Sequence, residues 1–502
     1  MKRVSKVFYI AVSLVAITVL LGAFFPARFE QITNNVKNLV STTFGWYYML
    51  LMAALVIFAI FVAVSPFGKI RLGKDNDKPD FSTGSWIAML FSAGMGIGLV
   101  FYGAAEPISH YIANAPESEA GTAQAFKEAL SYSFFHWGIH VWAMYGIVAL
   151  SLAYFQFRKD EPGLISSTLK PLFGDRMNGP LGTAVDVLAV FTTVFGVATS
   201  LGFGAVQING GLSHLFGLEV SFTSQLLIIL IVTVLFLISA WSGLGKGIKY
   251  LSNTNMVLAI VLFFAVLILG PTLLILNMFT ETFGMYLDNI VHMSFRTAPL
   301  NGDNRSWLNA WTIFYWAWWI SWAPFVGMFI ARVSRGRTIR QFLIFVILIP
   351  TLIVSAWFAT FGTTAGDVQN KGFDLTQYAT ELVLFNMFDH VTFSFFLSII
   401  AIMLIASFFI TSADSATFVL GMQSTRGSLT PANSIKVAWG LAQSAVALIL
   451  LYVGGLTALQ NTIIIAALPF SFVIILMALA LYKTLSIEIK QMNKKAQIKK
   501  RK

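Results

Sequence analysis

Apolar runs long enough to cross a bilayer recur along the whole chain, at about 7–25, 45–65, 84–105, 128–155, 183–213, 223–242, 253–276, 307–331, 341–362, 391–420, 434–454 and 458–482. A spanning helix needs about 20 apolar residues, and backbone polar groups inside a bilayer must pair within the segment, so each run predicts a membrane helix. Several runs exceed that length, which predicts tilt, breaks or extensions beyond the bilayer.

The polar intervals are short, the longest being 105–127, 156–182, 277–306 and 363–390. In the third, Phe279, Phe283, Tyr286, Ile290 and Met293 recur at helical intervals with Glu281 and Asp288 between them. This predicts an amphipathic helix at the outer membrane surface. It divides the last ten runs into two groups of five, 84–276 and 307–482. Each group opens on an irregular helix, one carrying Gly94-Met-Gly-Ile-Gly98 and the other a tryptophan run followed by Pro324. Transporters built from repeats place broken helices at corresponding positions, with substrate between the halves. Glycines four apart also serve plain helix packing, so it is the matched position of the breaks that carries the reading. The organisation expected is two membrane helices and a cytoplasmic loop over 1–83, a first five-helix repeat over 84–276 and a surface helix and loop over 277–306. A second, inverted five-helix repeat over 307–482 and a short basic cytoplasmic tail over 483–502 complete it.

Composition agrees: 57% of the 502 residues are hydrophobic and 11% charged, which excludes an ordinary soluble protein. With the N-terminus in the cytoplasm and twelve alternating spans, 27 of the 33 lysines and arginines fall on the cytoplasmic side. That asymmetry orients the chain with both termini on the cytoplasmic side of the membrane. The net charge of +11 is thereby topological, and no nucleic-acid partner is expected. Lys2, Arg3 and Lys6 imitate the start of a signal peptide, but no small-residue cleavage site follows before Pro26, so this is read as the first membrane helix. The basic tail Lys494–Lys502 could also meet anionic membrane lipid. Zero cysteines exclude thiol chemistry and iron–sulfur clusters.

Five of the 13 tryptophans, Trp311, Trp316, Trp318, Trp319 and Trp322, fall within twelve residues. No carboxylate lies between Trp311 and Ala331, so a cation bound there would be held by ring faces. Desolvated aromatic cages suit a quaternary ammonium, which has no N–H to offer. An interfacial aromatic belt is the plainer alternative, although belts sit at helix ends. Trp137, Trp142 and Tyr145 cover roughly 140° of one face of a continuous helix at about 100° per residue, and could face Trp319. Ordinary interhelical packing explains them equally. His136 and His140 have the spacing of a helical metal pair, but no nearby cysteine or carboxylate is expected to complete a site. Thr411 and Ser412, set against carbonyls freed at the Gly94–Gly98 break, would make an oxygen cage for a hard monovalent cation. Hydroxyls bonded back to their own helix are the alternative. Asp414 reads as a proton carrier, a supporting polar group or a structural hydrogen-bonder.

Together Ala93-Gly-Met-Gly-Ile-Gly98, Phe101-Tyr-Gly-Ala-Ala-Glu-Pro107, His136-Trp-Gly138, Trp311-Thr-Ile-Phe-Tyr-Trp-Ala-Trp-Trp319, Arg332-Val-Ser-Arg-Gly-Arg337 and Thr411-Ser-Ala-Asp-Ser415 resemble the betaine/carnitine/choline transporters. The resemblance is nearest to sodium-coupled glycine betaine uptake members of Gram-positive bacteria, and it runs the length of the chain. It implies an all-α integral membrane protein of twelve transmembrane helices, the last ten forming two five-helix inverted repeats of the LeuT type, and a homotrimer. It further implies an aromatic box of Trp137, Trp142, Tyr145 and Trp319, with Trp318 and Trp322 engaging substrate as access alternates and Met95, Gly98 and Phe325 close by. One co-transported sodium would use the backbone of Ser92, Met95 and Phe408 with the hydroxyls of Thr411 and Ser412. A second would use Thr193 and Phe325, but Val197 stands where the family's coupled members carry a second threonine. Met256 and Val326 depart from the arginine and methionine of sodium-independent exchangers, and Gly98 departs from the aspartate of choline carriers. The expected function is sodium-coupled symport of glycine betaine or a close quaternary-ammonium solute for osmoprotection, without organic cofactor. The rival within the family is a choline or carnitine carrier, either proton-coupled, with Asp414 or Glu106 as the proton carrier, or exchanging. An enzyme would need a nucleophile, base or metal cluster, and none converges in the sequence.

Overall fold

The computed structural model describes residues 4–94, 96–242, 247–428 and 430–501. Among these the protein is helical throughout, apart from one isolated antiparallel bridge between Arg71 and Thr338. Helix α1 (Lys6–Phe24) and α2 (Pro26–Val64) precede α3 (Thr83–Gly94) and α4 (Ile97–Ile108), which interrupt one apolar run at Gly96. Then come α5 (Ala123–Trp137), α6 (Ile139–Ala153), α7 (Pro180–Phe216), α8 (Phe222–Ser242) and α9 (Gly247–Leu269). Helix α10 (Thr272–Phe295) covers the predicted surface segment and extends it towards the N-terminus. Helices α11 (Gly302–Ala310), α12 (Thr312–Val333), α13 (Ile339–Asn370), α14 (Ser394–Gln423) and α15 (Asn433–Arg501) follow, with α15 kinked at Gly454 and Gly455. Nine helices among the described residues are long and apolar enough to cross a membrane, or ten if a bent pair spanning α9 and α10 counts as one.

That pair turns by 107°, so α10 lies across the bundle. Thr282 and Tyr286 are buried against it, while Leu287 and Val291 face out. Ion pairs gather the polar loops at two places. Lys74 meets Asp160 at 2.5 Å, Arg158 meets Asp75 at 2.8 Å and also Glu488, and the Ser5 amide donates to the Ser424 carbonyl at 3.1 Å. These contacts bring both terminal regions and the loops after α2, α6 and α14 to one face. Lys127–Glu281 and Arg296–Glu117 lie among the remaining loops.

Two expectations about breaks are corrected. Helix α12 runs unbroken from Thr312 to Val333 with Pro324 inside it, so Trp316 to Trp322 sit on regular helix, and the irregularity in this segment falls earlier, at Trp311 between α11 and α12. Proline removes one N–H, but neighbouring helices can support the freed carbonyl in a bundle. A further break, not foreseen, falls at Gly138, between α5 and α6. Trp137 and Trp142 therefore do not share one continuous helical face.

Candidate binding site

The break at Gly138 organises the site. A Cβ there would lie 2.4 Å from the Phe134 carbonyl oxygen, so only glycine permits this path. Interrupting the ladder frees backbone groups that a buried segment must pair elsewhere. Trp319 Nε1 donates to the His136 carbonyl at 2.8 Å, and Trp142 Nε1 donates to the Trp137 carbonyl at 3.1 Å. The Ile139 amide donates to the Tyr286 hydroxyl of α10 at 3.1 Å. Indoles and a phenol thus take the place of helical hydrogen bonds, and each is fixed in orientation by doing so.

These rings wall a cavity of about 50 Å³ with Gly98, Trp137, Trp142, Tyr145, Trp318, Trp319 and Trp322 on its lining. Trp137 and Trp319 meet edge to face at 4.7 Å, Trp142 and Tyr145 at 5.6 Å, and Trp318 stacks on Trp319 at 4.9 Å. Gly96, Ile97 and Leu99 from the α3–α4 break, Val141, Ser200, Val326 and Val354 complete it, and among the described residues no ionisable side chain except that of Tyr145 lines it. Sequence reasoning had not singled out Val141, Ser200 or Val354, because apolar and small residues carry no signal of their own. Gly98 is held close by the rings: a Cβ there would stand 2.6 Å from Trp318 Cη2 and 3.0 Å from Trp137 Cη2. The cavity is suited to a compact, methylated cation presented to ring faces.

Four of the five cavity indoles have their N–H groups committed to protein acceptors, with Trp137 donating to Glu106 at 2.9 Å and Trp322 to the Gly196 carbonyl at 2.8 Å. Trp318 Nε1 is buried without an acceptor among the described residues. Phe325 packs edge-on against Trp322 at 5.5 Å and is not on the cavity lining. Met95 lies outside the described residues, as does the side chain of Ser92, whose backbone lies in the last turn of α3.

The hydroxyl cluster of α14 approaches the same break. Ile97 and Phe409 both converge on Gly204 of α7, 3.0 and 3.1 Å from where its Cβ would stand. Thr411 Oγ1 donates back to the Ser407 carbonyl at 2.9 Å and accepts from Asn255 Nδ2 at 2.8 Å, leaving one lone pair. Phe408 is buried, Ser412 is partly buried, and Asp414 accepts from Ser239 at 2.5 Å. Thr193 is buried and donates to its own helix at the Ala189 carbonyl, 2.7 Å away.

Behind the box the structure overturns one expectation. His136 does have a carboxylate beside it, from Glu106 of α4, with His136 Nδ1 at 2.7 Å and His110 Nε2 at 3.4 Å from Oε1. The ligand atoms of these three buried residues lie within 4.8 Å of one another. The spacing that would have exposed this was thirty residues of sequence, not four. His140 is engaged elsewhere, with Ser294 at 2.8 Å.

Helices interrupted at Gly96 and at Gly138 meet at a buried aromatic cavity inside a bundle of apolar helices, an arrangement that suits a membrane transport protein. The sequence model of the BCCT, betaine/carnitine/choline family transporters, matches residues 6–490. The chain is 59% identical over 98% of its length to the glycine betaine transporter OpuD of Bacillus subtilis, covering 97% of that protein. It is 42% identical to a probable glycine betaine transporter of Desulfitobacterium hafniense, over 96% of this chain and 98% of that one. It is 43% identical to the ectoine/hydroxyectoine transporter of Virgibacillus pantothenticus, over 96% of each. The protein belongs to the betaine/carnitine/choline transporter family and is a multi-pass membrane transporter, not an enzyme.

Proposed function

We propose that this protein takes up glycine betaine, or a close quaternary-ammonium solute, by symport with sodium. The observation that carries the reading is the cavity walled by Trp137, Trp142, Tyr145, Trp318 and Trp319, with Trp137, Trp142 and Trp319 fixed by hydrogen bonds from their indole N–H groups. Family membership alone leaves the solute open, since one relative is named for ectoine and hydroxyectoine. The 59% identity to a glycine betaine transporter favours betaine. Gly98 favours it too, because a carboxylate there would repel the betaine carboxylate and crowd the rings.

Sodium coupling is supported by chemistry. A betaine is net neutral, so the membrane potential does no work on it, whereas each inward sodium contributes about 2.3 kcal/mol per 100 mV. Thr411 and Ser412 would supply hydroxyl oxygens to one ion, with carbonyls of Ser92, Met95 and Phe408. A second ion at Thr193 and Phe325 would lack the hydroxyl that Val197 replaces. The wider reading includes twelve spans with both termini in the bacterial cytoplasm, inverted five-helix repeats, a homotrimer and a role in osmoprotection. Counterflow in proteoliposomes with labelled betaine, choline, carnitine and ectoine, with and without sodium, tests it. Sodium-dependent betaine accumulation is expected; equal exchange without sodium would favour the choline or carnitine carrier.

A further inference from the structure

Glu106 is wholly buried one shell outside the aromatic cavity. Its Oε2 accepts from Trp137 Nε1 at 2.9 Å and from the Tyr315 hydroxyl at 2.5 Å, and its Oε1 from His136 Nδ1 at 2.7 Å. His110 Nε2 stands 3.4 Å from Oε1. The other nitrogen of His110 accepts from Trp307 Nε1 at 3.3 Å. An indole can only donate, so His110 is the neutral tautomer with its proton towards the carboxylate. The other nitrogen of His136 lies 3.0 Å from Thr312 Oγ1, a hydroxyl free to donate to it. No lysine or arginine bonds to this group among the described residues; Arg296 sits beyond Trp307 and pairs with Glu117. The carboxylate is held by neutral donors, and one of them is a wall of the cavity.

We infer that Glu106 is a positioning and selectivity residue that tunes Trp137 for a cation. Drawing the indole N–H onto a carboxylate raises electron density in the ring, whose face and edge then meet substrate, and places negative charge behind the box without exposing it to the zwitterion's own carboxylate. A low local dielectric lengthens the reach of that charge. This rests on the quaternary-ammonium reading above and adds where its selectivity against uncharged methyl groups arises.

The test is Glu106→Gln. The amide oxygen can still accept from Trp137 and Tyr315, and its NH₂ can donate to His136 once that ring shifts tautomer; only the long 3.4 Å approach of the His110 N–H is lost, so the charge is removed with the shape nearly kept. Binding to the purified protein is read by tryptophan fluorescence for glycine betaine and for its all-carbon analogue, in which a quaternary carbon replaces the nitrogen. The wild type should prefer betaine, and the variant should narrow that preference by about tenfold, the equivalent of roughly 1.4 kcal/mol. Equal weakening of both ligands would mean a merely structural role and would overturn the inference, as would an unchanged preference. Trp137→Phe, which keeps a ring but cuts the link, should narrow the preference likewise, and Glu106→Gln should add little to it. If Glu106→Gln does not fold, Trp137→Phe decides alone, an unchanged preference refuting the inference. Failure of the wild type to bind betaine at all would instead refute the substrate reading.

Discussion

At the residue scale, the cavity rings do two jobs at once. The indole N–H of Trp319 satisfies the His136 carbonyl while the ring lines the cavity. Trp319→Ala should lower betaine affinity more than tenfold, since a desolvated cation–π contact is worth about 2 kcal/mol or more. Trp142→Ala should weaken it severely, and Trp319→Phe should keep part of the affinity. Fluorescence titration of purified variants measures all three. Gly98→Ala should also weaken binding, because the added methyl must displace Trp318 or Trp137. Unaltered affinity in Gly98→Ala would show that the two rings are free to yield.

At the element scale, the interruption between α5 and α6 is the feature on which the box depends. Gly138→Ala should lower both thermal stability and betaine binding, as its Cβ would collide with the Phe134 backbone. Tyr286→Phe keeps the ring of α10 but leaves the part-buried Ile139 amide without its acceptor. An unsatisfied buried donor costs about 1–3 kcal/mol, so a lower unfolding temperature in detergent is expected, with a smaller effect on affinity. This dependence was not legible in the sequence. A His-Trp-Gly triplet inside an apolar run reads as helix, and the residue that makes a break tolerable lies on a helix nearly 150 positions away.

At the scale of the whole molecule, coupling requires that the cavity and the α14 hydroxyls respond to one conformational equilibrium. Betaine affinity should then rise with sodium concentration, and sodium affinity with betaine, by the same factor. Thr411→Ala and Ser412→Ala should move the sodium dependence of uptake to higher concentration, Thr411→Ala also freeing Asn255. Vesicle uptake against sodium concentration measures this. A sodium dependence unmoved by both substitutions would place the ion elsewhere.

The sequence by itself determined the class of molecule: long apolar runs can only be helices in a bilayer, and charge asymmetry and tryptophan density are properties of neighbouring residues. The family signature was equally legible, because its motifs are contiguous. Tertiary structure alone decided that α12 stays regular through Pro324, that the break falls at Gly138, and that Glu106 reaches His136, Trp137 and Tyr315 together. The last two are pairings of polar groups between helices distant in the chain, and apolar periodicity records which face of a helix is buried but not which buried group will meet it.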